Sequence, residues 1–309
     1  MKNPLIDKTS KKPKDKRLKQ LLTIRDLLRY AVSRFNQSQL HFGHGSDNAF
    51  DEAVYLILKT LDLPIDQLEP FLDAKLLSDE VAHVLKQIDR RADEHMPAAY
   101  LTNEAFLGNY RFYVDERVIV PRSFIAELLR EQFAPWIEDP LGVKHVLELC
   151  TGSGCLSILA AESFPNALIN ATDLSELALQ VADINVRNYQ LLERIRLIHS
   201  DVYAKVPKRK FDLIFSNPPY VNSDSMLNLP DEYRHEPQMA LEGGADGMDI
   251  VRRIIAEAKP RLTRKGILVI EVGHERAHVE AAFPELPMTW LSTSDGDDMV
   301  FLIHAADLS

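Results

Sequence analysis

The sequence predicts an α/β fold built on a mostly parallel sheet and preceded by a small all-helical domain. Three observations predict it. Apolar residues keep a helical period from Lys19 to about Arg91, short apolar runs alternate with helical segments from His145 onward, and a turn signal flanked by β-rich runs lies between the two regimes. A chain of 309 residues also exceeds one average domain, so two are expected, the larger with a full core.

Residues 1–18 are expected to form a basic disordered tail. Residues 2–19 hold eight Lys or Arg against two Asp, in a chain whose formal net charge is -10. Composition favours a solvated tail over one that touches ribosomal RNA, an assembly intermediate or another polyanion. The body left over is acidic, which argues against a dedicated duplex-DNA binder, because phosphate contacts need clustered cations on the folded surface.

Residues 19–95 read as a helical, substrate-recognition domain. In "QLLTIRDLLRYAVSRF" the positions Leu21, Ile24, Leu28, Val32 and Phe35 share one stripe, and "DEAVYLILKTL" is a second, nearly all-apolar helix. Ser78, followed by Asp79 and Glu80, starts a third that carries Val81, Val84, Leu85 and Ile88. His41 and His44 lie between the first two helices. With no cysteine beside them and no fixed helical spacing, they read as loop residues and not as metal ligands. Residues 96–121 read as a β-hairpin linker turning at Gly108 and Asn109, with Pro121 ending its strand.

Residues 122–309 make the sheet domain. Its strands are "HVLELC", "ALINATD", "RIRLIHS", "FDLIFSN" and "GILVIEVG", interleaved with helices such as "CLSILAAESF" and "ELALQVADINVRNYQLL", and Met299 to His304 is a last edge strand. The two cysteines, Cys150 and Cys155, fit neither a zinc knuckle nor a redox pair and read as buried thiols. No apolar run approaches the roughly 18 residues of a membrane span, and the first residues lack the apolar segment of a secretory signal. A cytoplasmic protein without a membrane or a metal is expected.

Polar residues gather where ligands collect on such a sheet, outside the carboxyl ends of its strands. Gly152 and Gly154 follow the first strand in "ELCTGSGCLSI", where missing side chains let backbone approach a ligand and the next helix offers free N–H groups. Ser157 stands where a dinucleotide fingerprint has its third glycine, so nicotinamide is not favoured. Asp173, 21 residues beyond Gly152 at the end of the second strand, is positioned to accept the hydroxyls of a ribose. Turn plus acid point to an adenosine-containing ligand, with a tight turn and a helix-capping aspartate as the plain alternative. Asp201 ends the third strand, either as acceptor for an adenine amino group or as a turn cap.

The fourth strand ends in "NPPY". Asn217 offers a carboxamide, and Pro218 and Pro219 make a rigid corner without N–H groups whose carbonyls are free to face a pocket. The Asn217 oxygen and the Pro218 carbonyl can accept both hydrogens of one planar NH2 group, and Tyr220 supplies a flat ring beside it. Such nitrogens are weak nucleophiles because their lone pair is delocalised. Accepting both N–H bonds polarises the group, and holding it in line with an electrophilic methyl supplies the orientation that catalysis needs.

"ELCTGSG", Asp173 and "NPPY" resemble the class I S-adenosylmethionine-dependent methyltransferases that modify amino nitrogens. "VPRSFIAELL", "EPQMALEGGADGMDIVRRII" and "STSDGDDMVFLI" extend the resemblance to the protein-glutamine N5-methyltransferases, from the N-terminal helices to the last strand. "VPRSF" and "HFGHGSDNAFDEAVYLIL" look like the branch that methylates large-subunit ribosomal protein three, and less like the release-factor branch. The resemblance implies a Rossmann-like sheet with an antiparallel edge strand, S-adenosylmethionine as methyl donor, and a ribosomal protein as acceptor. It implies that Glu148 belongs to the cofactor site, that Cys150, Thr151, Gly152, Ser153 and Gly154 line the methionine part of the cofactor, and that Asp173 lies on its ribose and Asp201 and Val202 on its adenine side. Asn217 would touch both cofactor and glutamine, with Pro218, Pro219 and Tyr220 completing the amide clamp. Cys150 departs from the pattern, where a glycine often begins the loop, and Val202 stands where some relatives carry an aromatic ring.

Adenine N6-methylation of DNA or RNA is the nearest competitor, since that target is also a planar amine, but it calls for a basic target-reading surface. A factor that binds ribosomal protein without catalysis is a third reading, set against the intact cofactor motifs. "EGGADG" lacks the Lys-Ser or Lys-Thr of a phosphate loop and is expected to be a mobile loop on the substrate side. His235 is left unassigned, because amide methylation can release its proton to water.

Overall fold

The computed structural model describes residues 15–43 and 45–308. The chain divides into two compact units, Met1–Leu40 with Ser46–Glu94, and His41–Gly45 with His95–Ser309. The first fourteen residues of the expected basic tail, and His44, lie outside the described residues.

Among the described residues, three α-helices make the core of the smaller unit: α1 (Ile24–Gln37), α2 (Ala49–Thr60) and α3 (Ser78–Glu94). Thr23 caps α1 through a reciprocal box with Asp26, and the Asn48 side chain caps α2, which satisfies N–H groups that helix starts leave free. Ile24, Leu27, Leu28, Ala31 and Phe35 of α1 are buried, as are Val81, Val84, Leu85 and Ile88 of α3. The stripe read from sequence is therefore completed by Leu27 and Ala31, whereas Val32 is only half-buried. Arg91 and Glu52 form a fully buried ion pair at 2.6 Å inside this unit. Residues 16–18, expected in the disordered tail, belong instead to a short 3-10 helix, Lys16–Lys19. Arg17 anchors it, meeting Asp89 at 2.7 Å and the Tyr30 hydroxyl at 2.9 Å.

The larger unit opens with α4 (Ala98–Thr102) and a hairpin of β1 (Ala105–Leu107) and β2 (Tyr110–Phe112), which turns at Gly108 with φ +61°. Residues 96–121, expected as a linker, belong to this unit. Two of them are tied to its helix α7 (Glu176–Asn188) and the residue after it: Asn185 bonds both the N–H and the carbonyl of Tyr113, and the Tyr189 hydroxyl just beyond bonds both those of Arg111.

After α5 (Ile125–Arg130) comes a seven-stranded sheet. Its parallel strands are β3 (His145–Leu149), β4 (Leu168–Asp173), β5 (Ile195–His199), β6 (Phe211–Ser216) and β7 (Leu262–Glu271), joined by α6 (Cys155–Ser163), α7, α8 (Ser223–Leu227) and α9 (Asp249–Ala258). Then follow α10 (Arg276–Ala282), β8 (Thr289–Thr293) and β9 (Gly296–His304), in the spatial order β5-β4-β3-β6-β7-β9-β8. The antiparallel edge is present. However, β9, which contains Met299 to His304, pairs on both sides, and β8 takes the outermost place.

Alternate residues of the parallel strands point to opposite faces, so Val146, Ile169, Leu213 and Val269 pack towards α5 and α6, while Leu147, Ile214 and Leu268 pack towards α9 and α10. Both faces are thus apolar and covered. That leaves the carboxyl ends of β3, β4, β5 and β6 as the place where polar chemistry is exposed. Among the described residues no helix is long and apolar enough to cross a membrane, and no group of three or more His, Cys, Asp or Glu is arranged to hold a metal.

Candidate active site

The turn after β3 takes the left-handed backbone conformation at Cys150 (φ +60°), Gly152 (φ +54°) and Gly154 (φ +78°). Only glycine does this without a side-chain penalty. At Gly154 an added Cβ would also come within 3.1 Å of the Ala182 methyl on α7, so this glycine sets how closely turn and helix approach. Cys150 adopts the conformation although it carries a Cβ. Glu148 braces the turn from beneath, accepting from the hydroxyls of Thr151 and Ser157, and burial pushes its carboxyl up to about 8. Ser157, in the place of a third glycine, therefore serves the turn.

Asp173 ends β4 with its carboxylate turned to the same turn. One oxygen accepts the Gly152 N–H and the other the Ser175 N–H, each at 2.8 Å. Burial raises its pKa, against the pull of those amides. A carboxylate has about four acceptor positions, so two amides leave room for a diol.

Beyond β5, Ser200 gives its hydroxyl hydrogen to the Val202 carbonyl and accepts the Lys205 N–H, holding Val202 at φ +45°, a conformation a β-branched residue rarely adopts. Asp201 meets Arg253 of α9 at 2.8 Å, each about half exposed. Sequence reasoning offered an adenine acceptor or a turn cap and missed this cation, which only the tertiary fold brings near.

At the end of β6 the Ser216 hydroxyl donates to the Leu149 carbonyl, tying the strand to β3. The next residue, Asn217, has a side chain with no hydrogen-bond partner among the described residues, and the Pro218 carbonyl likewise accepts from none of them. Polar groups of a well-packed fold are rarely left this way unless they face a solvent or ligand space.

The corner is held from behind by "EGGADG". Val221 and Glu242 form a parallel bridge, the Gly243 N–H donates to the Val221 carbonyl, and an added Cβ at Gly243 or Gly247 would fall 2.7 Å from the Tyr220 Cα or 2.2 Å from its carbonyl oxygen. The stretch expected to be a mobile loop is thus packed onto the motif, because glycine alone permits so close an approach. The Tyr220 ring lies against Gly273, where an added Cβ would come within 2.8 Å.

All the predicted cofactor residues except Gly154 line one cavity, and Asn217 and Pro219 share its wall; Pro218 and Tyr220 do not. Arg122 and Ser123 of "VPRSF" also line it, residues that sequence reasoning singled out only as part of a resemblance. Arg122 makes a bidentate pair with the buried Glu236 at 2.5 and 2.6 Å and lies 5.1 Å over the Tyr233 ring. His41 donates its N–H to Glu232 and its ring faces Tyr233, while His235 is absent from the cavity wall.

Residues 127–231 match the family described as methyltransferase small domain. Together with a parallel sheet whose glycine turn, strand-end acid, Asn217 and Pro219 open on one cavity, this makes the chain a methyltransferase. Over 293 residues it is 64% identical to the ribosomal protein uL3 glutamine methyltransferase of Burkholderia pseudomallei, covering 93% of this chain and 95% of that one. The proteins of the same name from Neisseria meningitidis serogroup B and Bordetella pertussis are 58% and 56% identical, each over 94% of this chain and over 95% and 97% of their own lengths. The chain belongs to the family of ribosomal protein uL3 glutamine methyltransferases.

The residues present fit S-adenosylmethionine. A left-handed glycine turn, an acid with unused acceptor positions and an unpartnered carboxamide suit its methionine, its ribose and the reacting end. Asp173→Ala is expected to weaken cofactor binding ~10-fold to ~100-fold, the loss of one or two hydrogen bonds to a charged group. Titration calorimetry measures it.

Proposed function

We propose that the chain transfers a methyl group from S-adenosylmethionine to the side-chain amide nitrogen, N5, of a glutamine in ribosomal protein uL3. One observation carries the reading: two acceptor groups, the Asn217 carboxamide and the Pro218 carbonyl, are without donors at a stiff strand end beside a cofactor-type turn. The names of the relatives supply the acceptor protein. When bound, the cofactor supplies an electrophilic methyl on a sulfonium.

The chain's own residues supply the rest. Asn217 and Pro218 accept the two amide hydrogens and so fix the nitrogen's direction, while Asp173 and the Cys150–Gly154 turn hold the donor. Pro219 gives the corner its stiffness. Tyr220 completes the clamp by bracing that corner against Gly273. Orientation of this kind is worth several kcal/mol of the barrier.

Incubation with labelled cofactor and ribosomal proteins from a strain lacking the enzyme tests the proposal. Label is expected in a large-subunit band of the size of uL3, sensitive to protease and indifferent to nuclease. Label in a release factor, or in nuclease-sensitive material, would contradict it.

A further inference from the structure

Glu271 is a buried carboxyl that the function described so far does not use. It ends β7, which pairs with β6 in a register that matches Ser216 to Ile270, so Asn217 and Glu271 are the residues that leave the two adjoining strands side by side. Its Oε2 accepts from the Ser123 hydroxyl and, at 3.3 Å, from the Ile125 N–H. Ser123 lines the same cavity as Asn217, whereas Glu271 stands behind the wall. A hydroxyl with a carboxylate behind it and a reaction space in front is the arrangement of a proton relay.

We propose that Ser123 and Glu271 take up the proton that the glutamine amide loses. The inference rests on the function proposed above. As the nitrogen–methyl bond forms and the methyl–sulfur bond breaks, the amide hydrogen first held by the Pro218 carbonyl is handed to Ser123 Oγ, whose own hydrogen passes to Glu271 Oε2 and later to solvent, while the Asn217 oxygen keeps the other amide hydrogen. Removing the proton as the bond forms leaves the N–H bonding pair on the nitrogen, which offsets the density that amide resonance withdraws and avoids a cationic amide. Ser123, in contact with the reaction space, is the catalytic residue of the pair; Glu271 acts through it.

The surroundings suit an acceptor working near neutral pH. Burial pushes the Glu271 carboxyl up to about 7, against the opposing effects of Ser123, the Ile125 and Phe124 amides and the Arg122 charge. Tyr220 also feels its charge, and burial with the Glu271 charge keeps its phenol protonated. Glu148, whose carboxyl burial pushes up to about 8, lines the same cavity but is engaged by Thr151 and Ser157. A carboxyl whose pKa is raised accepts protons only above that value, so kcat should rise as pH increases through about 7.

The test is the pH profile of kcat on uL3 for the wild type and for Glu271→Gln, Ser123→Ala and Ser123→Thr. The wild type's turnover on uL3 reports on the proposed function; the profiles of the variants report on the relay. Glu271→Gln and Ser123→Ala should each lower kcat ~100-fold, at the lower end of general-base effects, and lose the acid limb with little change in the KM for cofactor. Ser123→Thr, which keeps the hydroxyl, should keep the limb. Infrared difference spectra of the protein alone between about pH 5 and about pH 9 should show a carboxyl titrating near neutrality that is missing in Glu271→Gln. An unchanged acid limb in Glu271→Gln, or a Glu271 ionised throughout that range, would overturn the relay and leave the pair as a tie between β7 and the start of α5.

Discussion

Asn217→Ala is expected to lower kcat ~1,000-fold or more while the protein keeps its fold. The carboxamide makes no hydrogen bond to the described residues, so truncating it strands no protein donor and removes no packing of the sheet core. Its cost to stability should stay within ~0.5 kcal/mol, the range of substitutions outside core and network positions. The lost acceptor, by contrast, is one of two that aim the amide. Removing a preorganised partner of the reacting group costs roughly 100-fold to 1,000-fold in kcat, and misaiming adds to it. A methylation assay paired with circular dichroism separates the two effects. Near-normal turnover, or loss of structure in step with loss of turnover, would contradict the role.

Gly247→Val should cost ~100-fold in kcat although the residue lies outside the cavity wall. With φ at +78°, a valine there is strained, and its Cβ would sit 2.2 Å from the Tyr220 carbonyl oxygen. That contact cannot be relieved by rotating a side chain, because the atom in the way is backbone of the motif. The Asn217–Tyr220 corner must shift, and displacement of order 1 Å at a site that works by orientation carries a penalty of about that size. The KM for S-adenosylmethionine should change far less than kcat, since the turn after β3 and Asp173 are untouched. Equal loss of cofactor affinity would show that the glycines support the whole cavity and not the corner.

The parallel strands were legible because each is an apolar run closed by a polar residue; along β3, β4 and β6, whose two faces are covered, burial is nearly continuous, whereas β5 at the sheet's end departs from it. Edge strand β8 was not. "TWLST" is half-exposed and alternates weakly, although Asp295-Gly296 ahead of β9 is a hairpin signal that would have found it. Asp173 and Asn217 were readable from their order along the chain, since strand ends converge in this topology. Arg253 was not, because an α9 residue reaches Asp201 only through tertiary packing. Gly243 and Gly247 of "EGGADG" were visible as letters, but their reason, a backbone-to-backbone approach onto Tyr220, is a distance that no local pattern encodes. The same holds for Ser123 and Glu271, which are 148 positions apart.

A crystal structure with a non-reactive cofactor analogue and a glutamine-bearing uL3 segment tests the central claim most directly. The account predicts the glutamine amide nitrogen within about 3 Å of both the Asn217 side-chain oxygen and the Pro218 carbonyl, a normal hydrogen-bond distance, and facing the analogue's sulfonium position. A glutamine held elsewhere in the cavity, with those two oxygens turned from it, would contradict it.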